Sequence, residues 1–328
     1  MSEKSEHDFV IVGSGSAGAA LARRLSDAGQ SVLLLEAGES RQKDFWVRVP
    51  IGIAKIVPNK DYVWQFYTQP QAGLLGQRIY WPRGRLPGGS SSVNGMIFSR
   101  GDPLEFDYWR EQGSPGWGWK DLLPYFKRLE HCAFGDAQTR GRNGPISIQS
   151  LGDHPDVLSE AFLASCGSVG IERTQDYNAG YGQYGGVSYL QLSTRRGERS
   201  STAVGYLEGA SKAKLEMQTQ AVATRVRFEG LRAVGVEYMQ GGEKKFARAL
   251  REVVLAAGPI KSPQLLELSG VGDGHRLQKL GIATVHHLPG VGENLSDHLQ
   301  SRITFEARNA NTLNQIMASR WRQSSLIT

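Results

Sequence analysis

Five residues near the start of the chain have types and spacing suited to holding a phosphate-linked ligand. Gly13, Gly15 and Gly18 form a G-x-G-x-x-G turn with Ser16 inside it, and Glu36 closes the apolar run that follows. Gly13 permits the tight turn, Gly15 leaves the backbone open to a pyrophosphate, and Gly18 lets a helix lie close against a strand. A helix opening at Ser16 would turn its free N–H groups and positive dipole end toward phosphate oxygens. Glu36 stands where a carboxylate can accept both hydroxyls of a ribose. An acid there disfavours a 2′-phosphate, so FAD or NAD suits the pattern better than NADP, and the motif does not separate the first two. A glycine-rich turn in an ordinary α/β unit is the plainer alternative. Against it stand the strand before the turn, the helix after it, the second strand and its closing acid.

Those residues need a βαβ unit to position them. Residues 9–12 are apolar and mostly β-branched, as in a buried parallel strand, and residues 31–35 form the second apolar run. Between them Ala19, Ala20, Leu21, Ala22 and Leu25 recur at helical spacing, ending near Gly29. Further on, residues 61–68 (DYVWQFYT) alternate aromatic and polar side chains as a half-buried strand does, with residues 78–82 as the return strand of a hairpin. Helices are expected at 104–111, at 119–129 with Leu122, Leu123, Phe126 and Leu129 on one face, and at 155–167 with Val157, Ala161, Phe162 and Ala164 inward. Later elements are strands at 146–148, 187–192, 215–228, 233–239, 251–257 and 281–289, and helices at 200–213 and 261–268.

A second stretch carries chemistry of its own. Residues 84–101 read GRLPGGSSSVNGMIFSRG, rich in small side chains and exposed N–H groups. A Gly/Ser run by itself is a linker pattern. Here apolar residues flank it and Asn94 sits within it, which favours a loop wrapped closely around a ligand. The strand that ends at Ala256, Ala257 and Gly258 would likewise let its backbone approach a bound dinucleotide.

Composition narrows the classes. The chain has 328 residues, room for two domains, and its 40 glycines fit many tight turns. A net charge of +6 without a Lys/Arg run gives no nucleic-acid arm. Two cysteines, Cys132 and Cys166, without paired spacing suit a reducing compartment and offer no metal site. The start, MSEKSEHD, lacks the apolar region of a signal peptide, and no apolar run is long enough to span a bilayer. The expectation is a cytoplasmic α/β protein.

Taken together, these segments resemble the glucose–methanol–choline (GMC) family of FAD-dependent alcohol oxidoreductases. Four ordered blocks carry the resemblance: residues 13–36, residues 81–101, residues 258–272 (GPIKSPQLLELSGVG) and residues 288–298 (LPGVGENLSDH). The fold it implies is a Rossmann-like FAD-binding domain with a partial α+β substrate-binding domain. Its division would be 1–150 and 201–310 for the two parts of the FAD-binding domain, 151–200 for a substrate-domain segment, and 311–328 for the start of another. By resemblance, Gly13, Gly15, Ser16 and Gly18 contact the pyrophosphate of FAD and Glu36 holds the adenosine ribose. Gly89, Ser90, Asn94, Gly95, Met96 and Ile97 lie along the pyrophosphate and flavin, Ala223 meets the adenine through its backbone, and Ala257 and Gly258 end a strand beside the cofactor. Asn294, Asp297 and His298 belong to a block packed beneath it.

The sequence departs from the family pattern at two points within these blocks. Pro87 stands where Leu is usual and removes a backbone donor. Val93 stands where members with covalently bonded flavin carry His, so the FAD is expected to be non-covalent. Family members also continue well past this point, so the chain reads as C-terminally truncated, with the catalytic His and its partner expected beyond Thr328. None of the seven histidines present is expected to be the general base. His286 and His287 are adjacent and in a strand would face opposite ways, and His7 and His154 lie in polar stretches. The implied reaction takes an alcohol to an aldehyde with hydride passing to flavin, from a small-molecule alcohol to oxygen or a quinone-like carrier. The alternative is an inactive FAD-binding piece of such an enzyme.

Overall fold

The structure, a computed structural model, describes residues 5–298, 300, 303–308, 312, 314 and 318. Segment 311–328, expected to open a further substrate-side part, lies almost wholly outside the described residues.

The first apolar runs form β1 (Ser5–Val12) and β2 (Val32–Leu35), joined by helix α1 (Ser16–Asp27). All four residues of β2 are buried, which explains the absence of a polar/apolar alternation in that run. The strands Leu215–Gln218, β2, β1 and Glu243–Leu255 lie side by side in parallel, and Arg232–Gln240 and Val222–Glu229 extend the sheet antiparallel. This is the α/β architecture expected from the sequence.

Successive side chains of the parallel strands feed two cores. Val10, Val12, Leu33 and Leu35 pack with Val226, Val236 and Tyr238 of the antiparallel strands, which therefore fold over that face. Ile11, Val32 and Leu34 pack on the other face with Ala22 of α1 and Leu215. The register places Val12 beside both Leu35 and Leu255. The carboxyl ends of three strands thus fall level, and Gly13, Glu36 and Ala256 leave the sheet at one edge. That edge is where open α/β sheets bind ligands.

Several elements differ from the sequence reading. Residues 215–228 are not one strand. Gln220 takes a left-handed φ of 54°, and the chain turns there between Leu215–Gln218, paired with β2, and Val222–Glu229, paired with Arg232–Gln240. The expected helix at 200–213 is one π-helical turn, Ala203–Leu207, and the expected strands at 187–192 and 281–289 shorten to Gln191–Leu192 and His286–His287. The strand at 251–257 is the end of a longer one beginning at Glu243, whose polar first half pairs with Arg232–Gln240. Helix Val157–Ser168 turns the wrong side inward relative to expectation. Val157 and Phe162 are exposed, while Leu163 and Cys166 are buried. Apolar residues lie all round this helix, so periodicity alone does not select a face.

Helices Pro103–Glu111 and Trp119–Leu129 match the reading closely, and Leu122, Leu123, Phe126 and Leu129 form the partly buried side of the second. No helix among the described residues is long and apolar enough to cross a membrane.

Candidate functional site

At the level strand ends lies a cleft of about 940 Å³. Its floor is built by the glycine turn. Gly13 has φ +97°, and a Cβ there would stand 2.5 Å from the Ala256 carbonyl oxygen. A Cβ on Gly18 would stand 1.9 Å from the Gly13 carbonyl oxygen, so Gly18 lies behind the turn as the helix-to-strand contact rather than in the cleft. Gly15 is different, since a Cβ there would meet nothing closer than the Gly89 Cα at 3.9 Å. Its missing side chain leaves space on the cleft side. Ser16 and Ala17, the first residues of α1, are exposed into that space. The N–H groups of a helix's first turn have no acceptor within the helix, so the cleft faces free donors at the positive end of α1.

The second glycine loop is pressed onto the first. Gly88 N–H donates to the Ser14 carbonyl at 2.9 Å. Gly89 has φ +52°, and a Cβ on it would stand 2.8 Å from the Gly15 Cα. Backbone therefore meets backbone between the two loops, and any larger residue at 89 would part them. Gly89 and Ser90 line the cleft beside Gly15.

Glu36 lines the cleft and is only 5% exposed. Its carboxylate is engaged by the fold: Oε2 accepts from Ser14 N–H at 3.1 Å and from the Ser14 hydroxyl at 2.5 Å, and Oε1 accepts from Gly38 N–H at 2.9 Å. The carboxylate is thus oriented before any ligand arrives. The chain from 219 to 224 passes over it, with Gln220 N–H donating to the Gly38 carbonyl and Ala221 N–H to the Glu36 carbonyl, both at 2.8 Å. This brings Ala223 to the cleft wall. Ala257 and Gly258 complete the wall, and Gly258, at φ +83°, opens the helix Gly258–Leu268.

Of the residues singled out by sequence, Gly13, Gly15, Ser16, Glu36, Gly89, Ser90, Ala223, Ala257 and Gly258 converge on one cleft. Asn94, Gly95, Met96 and Ile97 do not line it. Asn94 and Gly95 are exposed, Met96 is buried with a left-handed φ of 63°, and Asn94 Oδ1 accepts from Met96 N–H at 3.1 Å. Val93 is buried with Val47, Ile56, Val63 and Leu86. Asn294, Asp297 and His298 are exposed outside the cleft, where Asp297 accepts from Trp81 Nε1 at 2.6 Å. None of the seven histidines lines the cleft.

The sequence reading missed one wall. Trp64 and Phe66, two apart on the strand Val63–Tyr67, face the cleft, and Lys261 reaches across to them, its Nζ 4.6 Å from the Trp64 ring. Burial, and then the charge of Arg85, push the Lys261 ammonium pKa down. The alternation of aromatics in the strand was the available signal; which face would be wet was not.

Beyond the glycine loop, the chain is anchored by buried charge. Arg100 Nη2 donates to Glu130 Oε1 at 2.7 Å, Arg140 Nε donates to the same oxygen at 2.8 Å, and Arg140 Nη1 reaches Asp176 Oδ1 at 2.8 Å. Burial drives the Arg100 pKa down, against the pull of Glu130. For Arg140 burial acts the same way but is outweighed by the hydrogen bonds and charge of Glu130 and the charge of Asp176, so its pKa rises.

Comparison with known proteins bears on this geometry. A family model described as GMC oxidoreductase matches residues 7–300. The oxygen-dependent choline dehydrogenase of Vibrio vulnificus is 42% identical over 316 residues, covering 95% of this chain and 56% of that one. The mitochondrial choline dehydrogenase of Mus musculus is 42% identical over 306 residues, 90% of this chain and 51% of that one. Among solved structures, pyridoxine 4-oxidase from Mesorbium loti superposes with a TM-score of 0.81 at 34% identity, over 86% of this chain and 55% of that one. The chain spans about half the length of the curated relatives it matches.

Proposed function

We propose, from the premise that this chain belongs to the GMC oxidoreductase family, that its cleft holds FAD and that it is the cofactor-binding part of an enzyme oxidising a small alcohol. The observation that carries this reading is the contact of the two glycine loops, Gly15 against Gly89, at the N-terminus of α1. Such a surface, all backbone and positive dipole, suits a pyrophosphate. Gly13, Gly15, Ser16, Gly89 and Ser90 would hold the pyrophosphate, with Gly18 keeping α1 close beneath it. Glu36 would accept from the ribose, and Ala223 would lie along the adenine. Asn94, Gly95, Met96 and Ile97 would follow on the flavin side, and Ala257 and Gly258 would flank the cofactor. Bound FAD would supply the hydride acceptor for oxidation of a CH–OH donor. What these residues do is bind and orient, and exclude water along the buried floor.

Binding would be non-covalent, because Val93 has no atom able to bond flavin and is packed into the core. In this reading residues 1–150 and 201–310 form the cofactor-holding part and 151–200 a substrate-side segment. The alcohol class follows the choline dehydrogenases that the chain is similar to, and the electron acceptor would be oxygen or a quinone-like carrier.

A second reading has its own observation. With no histidine in the cleft, this chain would hold FAD without oxidising anything. Anaerobic mixing of the FAD-loaded chain with choline, benzyl alcohol and simple alkyl alcohols separates the two. Bleaching of the flavin at about 1 per second or faster favours catalysis by these residues. Stable yellow protein with no bleaching favours the cofactor-holding role alone. Failure to take up FAD at all rejects both.

A further inference from the structure

Away from that cleft lies a second cavity of about 470 Å³, between the loop around Lys43 and the tight hairpin Thr194–Arg195/Glu198–Arg199. Its lining is strongly cationic, with five Lys or Arg side chains against two carboxylates, Glu198 and Glu208. Glu198 is taken up by Arg48, whose Nε donates to it at 3.2 Å and whose Nη2 donates to its other oxygen. Glu208 is exposed and acts on Arg48 by charge, and the remaining cations have no ion pair among the described residues. Lys43, Arg195 and Arg196 are exposed, and their side chains have no hydrogen-bond or ion-pair partner among the described residues. Arg196 sits at the hairpin turn with a left-handed φ of 52°, next to Arg195.

The fourth cation is buried. Arg199 is 4% exposed, yet it meets no carboxylate within ion-pair range among the described residues. Its Nε donates to the Val47 carbonyl at 3.1 Å and its Nη1 to the Asn94 carbonyl at 2.8 Å, while Nη2 has no partner. Burial alone lowers its pKa to about 10. A buried guanidinium with neutral partners only, beneath three unpaired surface cations, adds uncompensated positive charge under the cavity, and since its unpartnered Nη2 is closed to solvent it acts on an anion there through space. Salt in solution screens the rim charges but reaches the buried one less.

We infer that this cavity is a seat for a small phosphate-type oxyanion, gripped by Arg195 and Arg196 from one side and Lys43 from the other, above the Arg199 guanidinium. Planar guanidinium forks match phosphate oxygens in pairs, and bonds of this charge-assisted kind are the strong ones. The group recognised is a dianionic –PO₃, free or as a monoester. The inference does not depend on the FAD reading.

The test is calorimetric titration of the 328-residue chain with inorganic phosphate, and in a separate arm with glycerol 3-phosphate, in dilute NaCl. Saturable binding with a Kd on the order of 1 mM or tighter is expected, weakening as NaCl is raised. Binding of both ligands points to the shared group; binding of inorganic phosphate alone restricts the seat to the free ion. Arg195→Ser/Arg196→Ser should weaken binding by about a hundredfold, roughly tenfold for each lost charge-assisted bond. Neither side chain is bonded among the described residues, so far-UV circular dichroism should not change. Lys43→Ser, on a separate segment, should weaken binding several-fold. Gly15→Val should leave this binding unchanged, because it blocks the other cleft. No saturable binding of either ligand overturns the inference. So does equal affinity in the wild type and the double variant, or loss confined to Gly15→Val, which would put the anion at α1.

Discussion

Glu36→Ala perturbs ligand and fold by separate, calculable amounts. A carboxylate offers about four acceptor positions. Ser14 N–H, the Ser14 hydroxyl and Gly38 N–H occupy three of them. One is therefore left for a ribose hydroxyl, where the sequence alone suggested room for two. A single charge-assisted hydrogen bond is worth about 1.5–3 kcal/mol, so FAD affinity should fall by roughly tenfold to a hundredfold. The same substitution also strips two buried backbone donors of their acceptor, at about 1–3 kcal/mol each, so unfolding stability should fall by roughly 2–6 kcal/mol even without FAD. Flavin absorbance titration reads the first quantity and urea unfolding the second. Ser14→Ala is the control: it frees one acceptor position while keeping the charge, and should not weaken FAD. Unchanged FAD affinity in a folded Glu36→Ala chain refutes the ribose role. Unchanged stability refutes the buried hydrogen-bond argument.

Three further outcomes are expected. Glu130→Gln leaves Arg100 and Arg140 buried with Asp176 as their one remaining carboxylate among the described residues, and should cost about 3–5 kcal/mol in urea unfolding; a loss below about 1 kcal/mol contradicts this. On helix Val157–Ser168, Leu163→Ala should cost about 2–5 kcal/mol and Phe162→Ala about 0.5 kcal/mol or less, because Leu163 is 7% exposed and Phe162 58%; the reverse order would restore the face expected from sequence. Acid precipitation of the FAD-loaded chain should release all flavin into the supernatant, since position 93 is Val; flavin fluorescence in the protein band of a denaturing gel would show a covalent bond.

Much of this fold was legible because local patterns and global packing agree. The second half of β1, α1 and β2 could be read from glycine spacing, small helix residues and apolar runs, but the polar residues 5–8 that begin β1 could not, because they are partly buried or exposed and gain their strand pairing from Glu243–Leu255. The division of 215–228 was not legible. Gln220 takes a left-handed φ without being Gly or Asn, held there by pairing of its N–H with Gly38, a contact made across 182 residues of chain. The π-helical turn Ala203–Leu207 was hidden for a related reason: the sequence favours a helix, and tertiary packing of Ala203 and Tyr206 decides which kind.

At the site, the residues that meet the cleft by backbone were found through their glycines. Trp64, Phe66 and Lys261 were missed, because side chains that face a cleft and side chains that face a core look alike in a sequence. On the same ground the sequence pattern puts Val157 and Phe162 inward, whereas both lie outward. Glu36 was found by position, but its three donors come from Ser14 and Gly38, and no spacing rule announces them.

The most direct measurement of the central claim is FAD titration of the wild-type chain beside Gly15→Val, followed by flavin absorbance and far-UV circular dichroism. A Cβ at position 15 would meet only the Gly89 Cα, at an ordinary contact distance of 3.9 Å, so the fold should survive, while a branched side chain would stand where the pyrophosphate must touch backbone. The expected result is yellow wild-type protein, colourless Gly15→Val, and matching circular dichroism spectra. Gly15→Val that still binds stoichiometric FAD with wild-type affinity would contradict the placement of the cofactor in this cleft.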